Sequence, residues 1–199
     1  DMDGISTAVV QDGGKTFENA ALGEIMTVAN KLRWLIAHGE RYLKTEKVGL
    51  GGPLFHKKGR IEYRPLGVVA AIVPWNYPFQ NIFASLADPL MAGNAVVLKA
   101  SEAVAWSTQY FQQLLHSVFD AHDISRDTVQ IINGFGETGA ALVRADVQKI
   151  LFIGSVGNGR RIVAGSAERL TPTVMELGGK DPLIVCDDAD LKRAVHSAI

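Results

Sequence analysis

The chain has 199 residues, 47% of them hydrophobic and 21% charged, with 20 basic and 21 acidic side chains for a net charge of -1. That balance, without a long block of one sign, excludes an electrostatic footprint for nucleic acid or an anionic membrane surface. A single cysteine excludes an internal disulfide framework and fits a reducing, intracellular and cytoplasmic compartment.

A chain of this length can bury about 70% of its unfolded surface, enough for one large domain or one domain plus part of another. It opens with "DMDGIST" rather than an initiator methionine, so a preceding segment with any targeting signal is expected. "TFENAALGEIMTVANKLRWLIAHGERYLK" follows, with apolar Ala21, Ile25, Val28, Leu32, Leu35 and Leu43 forming one helical stripe. Thr16 is its expected cap, and Glu18 and Glu24 suit its positive end. "GLGGPLFHKKG" breaks regular structure, and "RIEYRP" alternates Ile61 and Tyr63 with charges, as an exposed strand does.

From residue 66 the pattern changes. "GVVAAIV" is a continuous apolar, β-branched run, expected of a strand covered on both faces. "LGVVAAIVPW", the longest apolar stretch, is about half of the roughly 20 residues a membrane-spanning helix requires. "FQNIFASLADPLMAGN" reads as a helix that Pro89 kinks or divides and that Gly93 and Asn94 stop. Strand "AVVLK" and a helix with Phe111, Leu114, Leu115, Val118 and Phe119 inward come next. Then follow strand "TVQII", helix "GETGAALVR", strand "KILFIG" and helix "GRRIVAGSAERL". "TVMEL" and "PLIVC" are further strand candidates, and "ADLKRAVHSAI" begins a last helix that is still running at Ile199, which reads as truncation. Strands alternating with helices imply an α/β, Rossmann-like open sheet, mostly parallel, with helices on both faces.

Four stretches carry candidate chemistry. In "FIGSVGNGRRIV", Gly154, Ser155, Gly157 and Gly159 surround a strand-to-helix turn whose free N–H groups can face a pyrophosphate. The spacing departs from G-x-G-x-x-G, and a plain tight turn explains the glycines equally. In "VLKASE", Lys99 and Glu102 stand at a strand's carboxyl end, able to bond ribose hydroxyls or simply to be solvated. In "PWNYP", Pro74 and Pro78 restrain a loop in which Asn76 can donate to a developing oxyanion or satisfy loop carbonyls. In "MELGGKDP", Glu176 near the end of an apolar strand is a candidate general base if desolvated, or else the partner of a cation. Cys186 reads as an inert apolar filler, because Asp187, Asp188 and Asp190 follow it and disfavour a thiolate. No metal site is expected.

Taken together, "PLGVVAAIVPWNYP", "AGNAVVLKASE", "ILFIGSVGNGRRI" and "VMELGGKDPLIV", in that order, resemble the aldehyde dehydrogenase superfamily. The resemblance implies that Asn76 is the oxyanion-hole asparagine, Glu176 the general base, and Lys99 and Glu102 the adenosine-ribose pair. By the same resemblance, Gly154, Ser155 and Gly159 are expected under the pyrophosphate, with Trp75 and Leu177 beside the cofactor. It also implies NAD, with NADP as the alternative, an aldehyde substrate, and a homodimer or homotetramer. Residues 1–49 are expected to form the N-terminal helical part of the cofactor-binding domain. Residues 50–65 are expected to form part of an oligomerisation arm, and residues 66–199 the NAD(P)-binding domain.

Two departures stand out. "KASE" replaces the commoner lysine-proline-serine-glutamate, and "GSVGNG" lacks the usual threonine-glutamate pair. The extra glycine in the latter is expected to loosen pyrophosphate binding or alter cofactor mobility. The family's nucleophilic cysteine is implied beyond Ile199, and Cys186 does not inherit its role. A catalytically inactive binding module, or an acylating dehydrogenase or acyl phosphate reductase on the same scaffold, are the alternatives. "MELGG" weighs against the last two.

Overall fold

The computed structural model describes residues 2–198. Helix α1 spans Met2–Gly13. A second helical run is continuous but of three kinds: α2 over Phe17–Asn19, a π-helical segment over Ala20–Met26, and α3 over Thr27–Leu43. Thr16 caps it as expected, its Oγ1 accepting from the Asn19 N–H at 3.2 Å. Of the expected stripe, Val28 is buried and Ile25 packs against the core, whereas Leu32 and Leu43 are exposed; Ala20 and Glu24 are the further residues turned fully inward.

Strands β1 (Glu46–Val48) and β2 (Gly59–Ile61) form an antiparallel ribbon apart from the main sheet. The main sheet contains β3 (Val68–Ile72), β4 (Ala95–Lys99), β5 (Val129–Ile132), β6 (Lys149–Gly154) and β7 (Thr173–Leu177). Between them run α4 (Pro78–Met91), α5 (Ala105–Ala121), α6 (Gly136–Arg144) and α7 (Val156–Ala167), and α8 covers Leu191–Ala198. The expected strands form except for "PLIVC": Leu183, Ile184 and Val185 are exposed, in a stretch without strand pairing. An apolar run forms a strand only where a partner edge meets its backbone groups, and none does so among the described residues. The continuation of the last helix through Ile199 falls outside the described residues.

All pairings in the main sheet are parallel, in the order β5-β4-β3-β6-β7. Side chains alternate between two cores. Ala71 and Val73 pack with α1, α4 and α5 through Val9, Phe79, Ile82 and Phe111. Ala70 and Ile72 pack with α6 and α7 through Leu142, Val143 and Ile162. Within α5, Phe111, Leu115 and Phe119 are buried as expected, but Val118 is exposed. Pro89 stands inside α4 without dividing it, in the last turn, where only Leu90 and Met91 of the helix follow it. Gly93 then ends the run at φ 81.

Candidate functional site

Chain direction makes the site. From β3 the sheet grows through β4 to β5, and β6 then returns to the other side of β3. The carboxyl ends of β3 and β6 therefore flank a topological switch point, where open α/β sheets leave a crevice. Residues at this rim are level with one another: Ile72 pairs with both Lys99 and Phe152, while Ile153 pairs with Glu176 and Gly154 with Leu177.

A cleft of about 450 Å³ opens here, lined by residues that include Trp75, Asn76, Asn81, Gly154, Ser155, Glu176 and Leu177. Asn76 and Glu176, distant in sequence, thus face one space. The Ser155 hydroxyl caps α7 by accepting from the Asn158 N–H at 3.3 Å. The Gly178 N–H donates to the Gly154 carbonyl at 3.1 Å, which extends the β6–β7 ladder to the cleft. Glu176 itself is exposed rather than desolvated, because β7 is the last strand of the sheet.

Gly159 lines neither cavity but is buried in the first turns of α7. A Cβ there would lie 2.6 Å from Leu177 Cδ2, so glycine lets the helix start press against β7.

A second cavity, of about 280 Å³, lies between α6 and α7 under the ends of β3 and β4. Lys99 is nearly buried, and its Nζ meets Glu102 Oε2 at 3.4 Å. A hydrogen bond from its own backbone N–H, aided by Lys99 and Ser101, holds the Glu102 carboxyl below its ordinary value of 4.5. Sequence reasoning missed Arg144 and Arg161, which line the same cavity and form no ion pair among the described residues. Side chains from α6 and α7 meet here only through the fold, so nothing local in the sequence marks them.

The Asn76 loop is fixed from below by a group that sequence also misassigned. Glu24 does not sit at the positive end of its own helix. It is fully buried, pairs with Lys15 at 2.8 Å, and accepts the Phe79 and Gln80 N–H groups at 2.8 and 3.2 Å. It thereby caps α4, whose own cap residue Tyr77 supplies no side-chain bond. The Lys15 ammonium also lies 3.3 Å from the centre of the Tyr77 ring. Cys186, expected to be a buried filler, is free and exposed in the loop after β7 and does not line the cleft. No group of histidine, cysteine or carboxylate side chains suited to a metal ion occurs among the described residues. No helix among the described residues is long and apolar enough to cross a membrane.

A five-stranded parallel sheet with helices on both faces and a crevice at its switch point defines a Rossmann-like α/β protein. Comparison makes the class specific: the profile of the aldehyde dehydrogenase family matches residues 1–199, and the chain belongs to that family. It is 39% identical over 183 residues to an aldehyde dehydrogenase-like protein of Schizosaccharomyces pombe, covering 92% of this chain and 35% of that one. It is 39% identical over 199 residues to 4,4'-diapolycopene aldehyde oxidase of a Methylomonas species, covering 100% of this chain and 37% of that one. Among solved structures, PnpE of a Pseudomonas species in complex with nicotinamide adenine dinucleotide superposes with a TM-score of 0.87 at 29% identity, over 99% of this chain and 39% of that one. The chain thus spans less than two-fifths of the length of these relatives.

Proposed function

We propose that this chain is the cofactor-side part of an NAD(P)-dependent enzyme that oxidises an aldehyde to a carboxylic acid through a cysteine thioester. The carrying observation is that Asn76, Glu176 and the Gly154–Ser155 turn line one cleft at the switch point of the sheet. Family membership and the dinucleotide-bound neighbour support the cofactor.

The residues present fit a dinucleotide. Lys99 and Glu102 offer a donor and an acceptor to ribose hydroxyls at the end of β4. The slot between α6 and α7 is open at Gly136 and Gly139, where an added Cβ would meet nothing within 4 Å. The start of α7, with Gly154 and Ser155 before it, offers N–H groups to the pyrophosphate. Trp75 and Leu177 flank the nicotinamide end, and Gly159 lets α7 approach closely. When bound, the dinucleotide accepts the hydride. NAD is the expected form, and the excess of Lys99, Arg144 and Arg161 over Glu102 allows NADP as well.

In the reaction, a thiolate from outside this chain attacks the aldehyde carbon, and the Asn76 amide donates to the oxyanion. Glu176 then takes a proton from the water that hydrolyses the thioester, which favours the hydrolytic over the acylating relatives. The chain alone is inactive on this reading, because Cys186 stands outside the cleft. Residues 50–65, whose β2 pairs with β1 just before them, are part of an oligomerisation arm in a homodimer or homotetramer: two strands alone are marginal in water, and Val48 and Ile61 are exposed on this pair. A cytoplasmic location is consistent with the single free thiol.

The direct test is Asn76→Ala in the complete enzyme. Loss of one oxyanion donor is expected to slow the pre-steady-state burst of reduced cofactor about 100- to 1000-fold. A burst within twofold of wild type would remove Asn76 from the chemistry. Separately, Glu102→Gln is expected to weaken NAD binding about tenfold with no change in thermal midpoint, since a charged acceptor is about twice as strong as a neutral one. Because its carboxyl is held low, wild-type affinity should stay level from neutral pH down to about pH 5 as far as this group is concerned. Fluorescence titration of the chain checks both, and unchanged affinity in the variant would place Glu102 outside the site.

A further inference from the structure

Asn81 lies in the first turn of α4 and reaches back over the loop that precedes it. Its backbone N–H donates to the Tyr77 carbonyl at 2.8 Å. Its side-chain Nδ2 donates to the Pro74 carbonyl and to Asn76 Oδ1, each at 3.3 Å. Both protons of one amide nitrogen are thus used on the loop that carries Asn76, and all of Pro74, Asn76 and Asn81 line the same cleft.

The two ends of an asparagine amide are nearly equal in shape and opposite in hydrogen-bonding sense. Turned one way, Asn76 offers the cleft two N–H donors. Turned the other way, it offers an acceptor that would repel a developing oxyanion. Asn81 distinguishes the two orientations. Its donor requires an acceptor, so Oδ1 of Asn76 turns toward Asn81 and Nδ2 turns away. In the reverse orientation, two NH₂ groups would face each other at hydrogen-bonding distance.

We propose that Asn81 is a positioning residue for the oxyanion donor: it selects the orientation of the Asn76 amide in which N–H points into the cleft. This inference rests on the reading of Asn76 as that donor. Nothing in the sequence pattern around "PWNYP" assigns a task to the residue three places after its second proline.

The test uses Asn81→Asp and Asn81→Ala in the complete enzyme, with Asn76→Ala and the double variant Asn76→Ala/Asn81→Asp. Aspartate has the shape of asparagine; it loses the donor to the Pro74 carbonyl, but near a helix start its charge is favourable, so the thermal midpoint should change little. Yet aspartate can only accept, which draws Nδ2 of Asn76 away from the cleft. The burst rate of Asn81→Asp is expected to fall about 100-fold, approaching the loss caused by Asn76→Ala. Alanine removes the selection without reversing it, so its loss is expected to be about 2- to 10-fold, with unchanged cofactor affinity.

A merely structural role would lower the thermal midpoint or the cofactor affinity in step with the burst, or leave aspartate milder than alanine, and either result would overturn the inference. On the Asn76→Ala background, Asn81→Asp is expected to cost nothing further. A further drop there would mean that its charge acts on the oxyanion directly, and would also overturn it. If Asn76→Ala slows the burst while Asn81→Asp does not, the inference fails and the oxyanion reading stands. If Asn76→Ala leaves the burst intact, both fail.

Discussion

Glu24→Ala is expected to reduce the unfolding free energy by about 3–5 kcal/mol, the loss typical of breaking a buried ion pair from one side. Three groups lose their partner at once. Lys15, only 16% exposed at its side chain, is left with the Tyr77 ring as its remaining contact. The Phe79 and Gln80 N–H groups at the start of α4 lose their acceptor. No water-accessible route replaces it, because Glu24 is 0% exposed.

Glu24→Gln keeps an oxygen for the two N–H groups and should lose less. Urea unfolding at constant slope measures both variants. Adding Lys15→Met to Glu24→Ala should recover part of the loss, since the orphaned charge is then gone. A loss below about 1 kcal/mol for Glu24→Ala would mean that the pair contributes no more than a surface contact. Glu24 also sets the entry angle of α4, so the same variant should disturb the Asn76 loop that runs into this helix.

The contrast between Glu24 and its surroundings shows what a sequence can disclose. Strands β3, β4 and β6 are legible because each is a short, mostly apolar run packed on both faces and bounded by turn residues, and β5 at the sheet edge because Val129 and Ile131 alternate with an exposed Gln130. Helix α1 is not legible. "MDGISTAVVQDG" contains two glycines and β-branched residues that disfavour an isolated helix. Its order comes from burying Ile5, Ala8 and Val9 in the core and from Asp12 accepting the Ser107 N–H at 2.7 Å. "PLIVC" fails in the other direction, with strand composition and no partner edge.

The candidate site divides in the same way. Residues next to strand ends, such as Asn76, Lys99, Gly154 and Glu176, could be nominated from position, because parallel topology collects carboxyl ends at one rim. Asn81, Arg144, Arg161 and Glu24 could not. Each acts on the site through a contact that exists only after helices dock, and a helical asparagine, arginine or glutamate is locally unremarked. The π-helical segment adds a further limit, since nothing in the sequence marks its wider pitch: Ile25 packs against the core as expected, but the charged Glu24 beside it is fully buried.

Glu176→Gln in the complete enzyme is expected to lower steady-state turnover by about 100- to 10,000-fold while the first burst of reduced cofactor survives. The two phases separate because they ask different things of the cleft. Attack and hydride loss need a thiolate and an oxyanion donor, neither of which is Glu176 on the proposed reading. Hydrolysis of the thioester needs a proton taken from water as it attacks. Glutamine preserves the shape of the side chain on β7, and the ladder that holds it, from Ile153 to Gly154, is backbone only. It cannot accept that proton at neutral pH. The thioester should therefore accumulate, and mass spectrometry of the quenched enzyme should find the acyl group. Hydroxylamine attacks a thioester as a neutral amine without a base, so it should restore turnover in Glu176→Gln but not in Asn76→Ala, where the thioester forms slowly. A variant that loses its burst in proportion to its turnover would move Glu176 to the first half of the reaction, as the group that prepares the thiol.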